Sequence, residues 1–176
     1  MRRYGNSVIA LVAICAVIAL MLALTNSLTK GIIEENEQKA IQESLRVVLS
    51  ESDEFEEIQY DGTELPATVT SVYRGNSGGY VFRLSTSGYS SGMVILCGIS
   101  SEGVVSGSMC LSSGETLGYE KTYGEAVKGK TLANVDGVDA VSGATKTTEG
   151  YREAIKDALT AFSVLNANEQ KGGVNQ

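Results

Sequence analysis

No charged side chain interrupts the chain between Tyr4 and Thr29, and within that stretch Ser7 to Leu24 is almost wholly apolar. A helix crossing the hydrocarbon core of a bilayer needs about 20 such residues, so the sequence predicts a single membrane-spanning helix. The competing assignment is a cleaved secretory signal. The apolar run exceeds the ~7 to 15 residues usual for the core of a signal, and Ala23-Leu24-Thr25 is a poor small-residue cleavage site, so an uncleaved anchor is expected. A pilin-like subunit is disfavoured because no acidic residue interrupts the apolar segment. Arg2 and Arg3 precede the helix and Lys30 follows it, just before Glu34-Glu35. An excess of Lys and Arg marks the cytoplasmic side, which predicts a cytoplasmic N-terminus and everything after Thr29 outside the cytoplasm, in a single-pass protein of the cell membrane.

At 176 residues the chain is one domain's worth of material with an appendage. Removing Arg2, Arg3 and Lys30 from the 14 Lys and Arg leaves 11 against 21 Asp and Glu, a net of −10. Such a body repels nucleic acid, so no nucleic-acid partner is expected. Glu51, Asp53, Glu54, Glu56, Glu57, Asp61 and Glu64 form the densest acidic block, which reads as a solvated linker or face, with a docking patch for a basic partner as the alternative.

The chain contains no His. His-dependent triads and imidazole metal sites are therefore excluded, and three cysteines are too few for a cluster that needs four thiolates. Neither a metal site nor a catalytic acid or base is expected, and any redox work falls to an organic cofactor. Cys15 lies in the apolar segment. Cys97 and Cys110 fall on two expected strands, Met93 to Ile99 and Val104 to Leu111, joined by Ser100-Ser101-Glu102-Gly103. With Ile99 facing Val104, Cys97 pairs with Ser106 and Cys110 with Met93, too far out of register for a disulfide. Free thiols are the expectation.

The secondary-structure pattern divides the chain into residues 1–29, the cytoplasmic end and span; 30–66, a juxtamembrane helix and acidic linker; 67–167, a compact domain; and 168–176, a polar tail expected to fray. Ile33, Ala40, Ile41, Leu45 and Val48 fall near helical spacing, which predicts a helix from about Leu28 to Leu49. Strands are expected at Thr68 to Arg74 and Tyr80 to Ser85, around a Gly75 to Gly79 turn, followed by a Gly/Ser loop from Ser85 to Gly92 and the cysteine-bearing hairpin. These four make an antiparallel meander. A last helix from about Thr148 to Asn166 lines up Tyr151, Ile155, Ala158, Leu159, Phe162 and Leu165 on one face. The fold class expected is α+β: a transmembrane helix, then a small antiparallel sheet with flanking helices.

Two motifs compete for a chemical reading. Gly124-Glu125-Ala126-Val127-Lys128-Gly129-Lys130-Thr131 matches the phosphate-binding pattern of nucleotide hydrolases, but no apolar strand leads into it and Asp136-Gly137 interrupts the helix that should follow, so it reads as a surface turn. No dinucleotide fingerprint follows a strand, so nicotinamide is not expected here. The other motif is Asp139-Ala140-Val141-Ser142-Gly143-Ala144-Thr145. It could be no more than a Ser/Gly loop entering a helix capped by Thr147 or Thr148.

That second segment resembles the signature on which the FMN-binding domain family carries a covalent flavin, Asp-x-x-Ser/Thr-Gly-Ala-Thr, and Asp139, Ser142, Gly143, Ala144 and Thr145 all match. The order Val105-Ser106-Gly107, Gly114-Glu115-Thr116-Leu117-Gly118 and Val135 to Ala140 is similar to that of the family's members in the Rnf electron-transport complex (its G subunit) and the sodium-translocating NADH:quinone reductase (its C subunit). The resemblance implies FMN joined as a phosphoester to Thr145 by a separate flavin transferase that cleaves the pyrophosphate of FAD. It implies further that Glu115, Thr116, Leu117 and Gly118 contribute to the flavin pocket. Relatives have Glu-Thr-Pro-Gly-Leu-Gly there, and this chain departs from them at Leu117, Tyr119 and Glu120. Tyr119 is read as a half-buried loop aromatic, with stacking on the flavin as the alternative.

The resemblance thus implies an electron carrier that is an enzyme only as part of a Rnf-type ferredoxin:NAD oxidoreductase, with membrane and iron-sulfur subunits as partners. The alternatives are a component like that C subunit, an FMN domain of extracellular electron transfer, and a non-redox sensor or adhesion module that kept the fold.

Overall fold

The computed structural model describes residues 11–12, 14–19, 21, 41–60 and 65–172. The chain divides into two compact units, Met1–Ile41 and Gln42–Gln176. In the first, the described residues 11–12, 14–19 and 21 are helical, and Leu11, Val12, Ile14, Val17, Ile18 and Met21 are exposed. No helix among the described residues is long and apolar enough to cross a membrane. The span expected from Tyr4 to Thr29 lies largely outside them.

The second unit is built on a five-stranded antiparallel meander in the order β1-β2-β3-β4-β5: Phe55–Ile58, Val69–Gly75, Tyr80–Ser87, Ser91–Ile99 and Val105–Ser112. This confirms the α+β class and corrects the strand count. β1 lies inside the acidic block that the sequence assigned to a solvated linker, because Phe55 and Ile58 are half-buried while Glu56 and Glu57 stay exposed on a sheet edge. Charged side chains do not prevent pairing on an edge strand that faces water.

Both faces of the sheet are covered, and side-chain alternation decides which residue serves which face. On one face Phe82, Leu84, Ile95 and Cys97 form the main core with the long helix α3, Thr145–Gly172. Tyr151, Ala154, Ile155, Ala158, Leu159 and Phe162 of α3 are all buried there, at helical spacing, and complete burial of a side chain such as Leu159 stabilises by about 1.5–3 kcal/mol. Val81 and Leu96, which point the other way, pack on Leu45, Val48 and Leu49, at the end of the helical residues 42–48 (α1). A glycine pair, Gly98 opposite Gly107, lets the α1 backbone settle on the strands: a Cβ on Gly98 would lie 2.6 Å from the Val48 carbonyl carbon.

α3 departs from expectation at both ends. It starts at Thr145 rather than near Thr148, so neither Thr147 nor Thr148 is a cap, and it runs on through residues expected to be a tail. The β3–β4 connection is also shorter than the predicted Gly/Ser loop, because both strands extend into it and leave Gly88-Tyr89-Ser90 as the hairpin tip.

The cysteine register is corrected too. Ile99 pairs with Val105, and a bulge next to it skips Ser106, so Cys97 faces Ser108 and Cys110 faces Ile95. The cysteines are two positions out of register instead of four, and diagonal neighbours about 7–8 Å apart are still beyond usual disulfide reach. Both are free thiols.

Candidate functional site

The loop that leads into α3 is held by three side chains from the core side. Tyr123 Oη donates to Asp139 O at 3.0 Å, Arg152 Nη1 donates to Val138 O at 2.8 Å, and the Val141 N–H donates to Thr148 Oγ1 at 3.1 Å. Tyr151, whose hydroxyl is 2.8 Å from Ser108 Oγ, stacks edge-on against Tyr123 at 5.6 Å and so braces that tyrosine from the core. Burial raises the pKa of both phenols, so they remain neutral hydrogen-bonding groups at physiological pH.

Gly143 then turns the chain through φ 85°, a conformation in which glycine is unstrained. Ala144 is buried, and its carbonyl accepts the Thr148 N–H at 3.0 Å, the first bond of the helix. The N–H groups of Thr145, Lys146 and Thr147 therefore have no carbonyl one turn back within the helix, and they sit at its positive end. Thr145 and Lys146 are exposed and Thr147 is buried.

A second loop, between β5 and the turn of 3-10 helix at Tyr119–Lys121, brings Glu115, Thr116 and Leu117 to the same place. With Gly143, Ala144 and Thr145 they line a cleft of about 450 Å³, whose remaining wall is Tyr89, Lys146 and Thr147. Glu115 joins the parts. Its Oε2 accepts from Thr147 Oγ1 at 2.6 Å, and its Oε1 accepts from the Ser90 N–H at 2.8 Å, which ties the helix start to the β3–β4 tip through one carboxylate. That tip lies so close that a Cβ on Gly88 would stand 2.7 Å from Thr147 Cα.

Of the residues singled out from sequence, Glu115, Thr116, Leu117, Gly143, Ala144 and Thr145 therefore share one cleft. Three others stand outside its lining. Asp139 is engaged through its backbone carbonyl, Ser142 is exposed in the turn before the helix, and Gly118 takes a left-handed conformation, φ 73°, that aims the loop. Tyr119 is 39% exposed and is not part of the cleft wall. Tyr89, Ser90 and Thr147 were missed as site residues. The available signal was an aromatic residue in the middle of a Gly/Ser turn, a position where a core-forming side chain is out of place.

The phosphate-loop lookalike is a short helix, α2 (Gly124–Val127), followed by a turn in which Gly129 and Lys130 bond back to Val105, with a turn of 3-10 helix rather than a strand before it. It is a surface turn beside β5.

The cleft fits a small organic cofactor with an acidic end. Its volume falls in the ~300–1,000 Å³ range of small-molecule sites, it combines apolar Leu117, Tyr89 and Ala144 with polar groups, and unpaired helix N–H groups and Lys146 meet an exposed hydroxyl at one end.

Residues 88–160, which include the whole cleft wall, match the family model described as FMN-binding domain, and residues 1–48 match that described as RnfG N-terminal region. The chain is similar to the G subunit of the Na(+)-translocating ferredoxin:NAD(+) oxidoreductase complex of Acetobacterium woodii. The two are 28% identical over 186 residues, an alignment that covers 89% of this chain and 90% of that protein.

Proposed function

We infer that this chain, a member of the FMN-binding domain family, works as the flavin-carrying subunit of a Rnf-type electron-transport complex, with FMN attached to Thr145 as a phosphoester. The observation that carries this reading is the convergence of Glu115, Thr116 and Leu117 with Thr145 at the start of α3, in one cleft of cofactor size. FMN, when bound, supplies reversible electron uptake and release.

The chain's own residues bind and orient. Thr145 offers its exposed hydroxyl as the tether. The helix N-terminus and Lys146 offset the negative charge of a phosphodiester, in a domain otherwise strongly acidic. Leu117 and Ala144 give an apolar wall, and Glu115 fixes the distance between the helix start and the β3–β4 tip.

Attachment needs an external enzyme. A Thr hydroxyl is a weak nucleophile without an adjacent base, and the nearby carboxylate, Glu115, is engaged by Ser90 and Thr147. A flavin transferase would join the Thr145 oxygen to the FMN phosphorus of FAD, with AMP as leaving group. Exposure of Thr145 on a Gly-Ala shoulder leaves room for such an enzyme to reach it.

The anchor belongs to the same proposal. The uncharged stretch from Tyr4 to Thr29 spans the membrane, Arg2 and Arg3 stay inside, and the FMN domain lies outside; the partners are the membrane and iron-sulfur subunits of the complex. The exposed apolar side chains of the described helical residues between 11 and 21 support this.

The test is production with the transferase in a host membrane, followed by denaturing electrophoresis. The parent band fluoresces and its Thr145 peptide gains the mass of FMN less one water, while Thr145→Ala is dark and equally abundant. A bare Thr145 peptide sinks the redox reading and leaves a non-redox module. A cysteine placed at exposed Lys128 should be labelled by an impermeant reagent in intact cells; protection from the reagent would reverse the topology.

A further inference from the structure

We propose that Tyr89 is the side chain that stacks on the flavin ring in this cleft, a positioning role outside the loop where the family resemblance places the pocket. The inference rests on the reading that the cleft holds FMN.

Tyr89 is exposed on a rigid base. It is 76% exposed at the tip of the β3–β4 hairpin, although the backbone beneath it is fixed from three sides. The Gly88 N–H donates to Ser90 O at 3.0 Å, the Ser90 N–H donates to Glu115 Oε1 at 2.8 Å, and Gly88 lies against Thr147 at the start of α3. This tightly held tip presents an aromatic side chain to solvent at the mouth of a cleft, and surface loops positioned by a rigid scaffold are where binding side chains concentrate.

Among the described residues, Tyr89 is also the one aromatic side chain in the cleft lining, whereas Tyr119, the nearest alternative by sequence, stands outside it. A flat conjugated ring gains most from an aromatic partner in offset contact, and a Tyr keeps its hydroxyl in water while its ring does so. Leu117, 66% exposed in the same cleft, adds aliphatic cover from a different loop. Covering both side chains would remove two exposed apolar surfaces at once.

The position of the tip also depends on Glu115, because the carboxylate that holds Ser90 holds Thr147 as well. Tyr89 is thus placed relative to Thr145 by one shared anchor. Its function is to set the ring's orientation and shield it from water, not to take part in bond making.

A phenol in contact with a photoexcited flavin lends it an electron and takes it back without emission, and a phenyl ring does not. The full chain, flavinylated in the host membrane and purified in detergent, is compared with Tyr89→Phe, Tyr89→Leu and Tyr119→Phe by emission per mole of covalent flavin. Both Tyr89 variants should be several-fold brighter than the parent, and Tyr119→Phe should match the parent. Tyr89 variants as dim as the parent would overturn the proposal, and so would a bright Tyr119→Phe beside a dim Tyr89→Phe. A Tyr89→Phe chain that takes up no flavin overturns it too, since a ring that stacks on the finished cofactor is not required for its attachment. A parent with no covalent flavin refutes instead the prior reading of the cleft.

Discussion

Glu115 shows how much a single carboxylate contributes when its two oxygens serve different elements. It accepts one backbone and one hydroxyl hydrogen bond, at 2.8 and 2.6 Å, from segments far apart in sequence. Hydrogen bonds to a charged group contribute about 1.5–3 kcal/mol, so Glu115→Ala should lower the unfolding free energy by about 2 kcal/mol in urea titration, and Glu115→Gln by less. An unchanged midpoint for Glu115→Ala would mean that the β3–β4 tip and α3 hold their positions without it. At this scale the sequence named Thr145 and Glu115 but had no means of pairing them. Glu115 and Thr147 stand 32 positions apart with no periodic signal to link them, and only the folded chain joins those two side chains and so brings Glu115 into one cleft with Thr145.

Elements meet here through glycines as much as through apolar side chains. Gly150 lies in the second turn of α3, where replacement by Ala ordinarily stabilises a helix by about 1 kcal/mol. Its missing Cβ, however, is where the carbonyl of Ser87, the last residue of β3, rests, with the Ser87 carbonyl carbon 3.1 Å from the would-be atom. Gly150→Ala should therefore destabilise, by about 1–3 kcal/mol as for other overpacked sites, and should disturb the cleft as well. A rise in melting temperature on this substitution would contradict the contact. The helix face from Tyr151 to Phe162 was legible because the 3.6-residue period exposes it; the start at Thr145 was not, since Gly143 and Ala144 fit a loop or a helix entry equally well. β1 escaped notice because four residues rich in Glu look solvated until Phe55 and Ile58 find their partners on β2.

For the molecule as a whole, the buried thiol and phenols set the response to alkali. Burial pushes the Cys97 thiol and the Tyr151 phenol up, and raises Tyr80 to about 12 with help from the hydrogen bond to Glu169. Each folded-state pKa lies above its unfolded value. The stability these groups contribute is full below the unfolded pKa and is lost as pH rises past it, because the unfolded chain then releases protons that the folded chain keeps. Stability should decline above about pH 8.5 for Cys97, by about 1.4 kcal/mol per pH unit, with the tyrosines adding from about pH 10. Urea midpoints measured from pH 7 to 11 check this, and Cys97→Ala should remove the first part of the decline; an equally steep curve for that variant would assign the loss elsewhere. What the sequence determined by itself were properties written in local order and composition: an uncharged apolar stretch, strand alternation, a helical face, the lack of His, and a Ser-Gly-Ala-Thr segment that resembles a flavin-attachment signature. Tertiary structure decided which of these meet. The α3 start, the Glu115 loop and the Tyr89 tip are joined by hydrogen bonds and by glycine contacts that have no sequence period, because they depend on the register of the meander and on where each turn releases the chain.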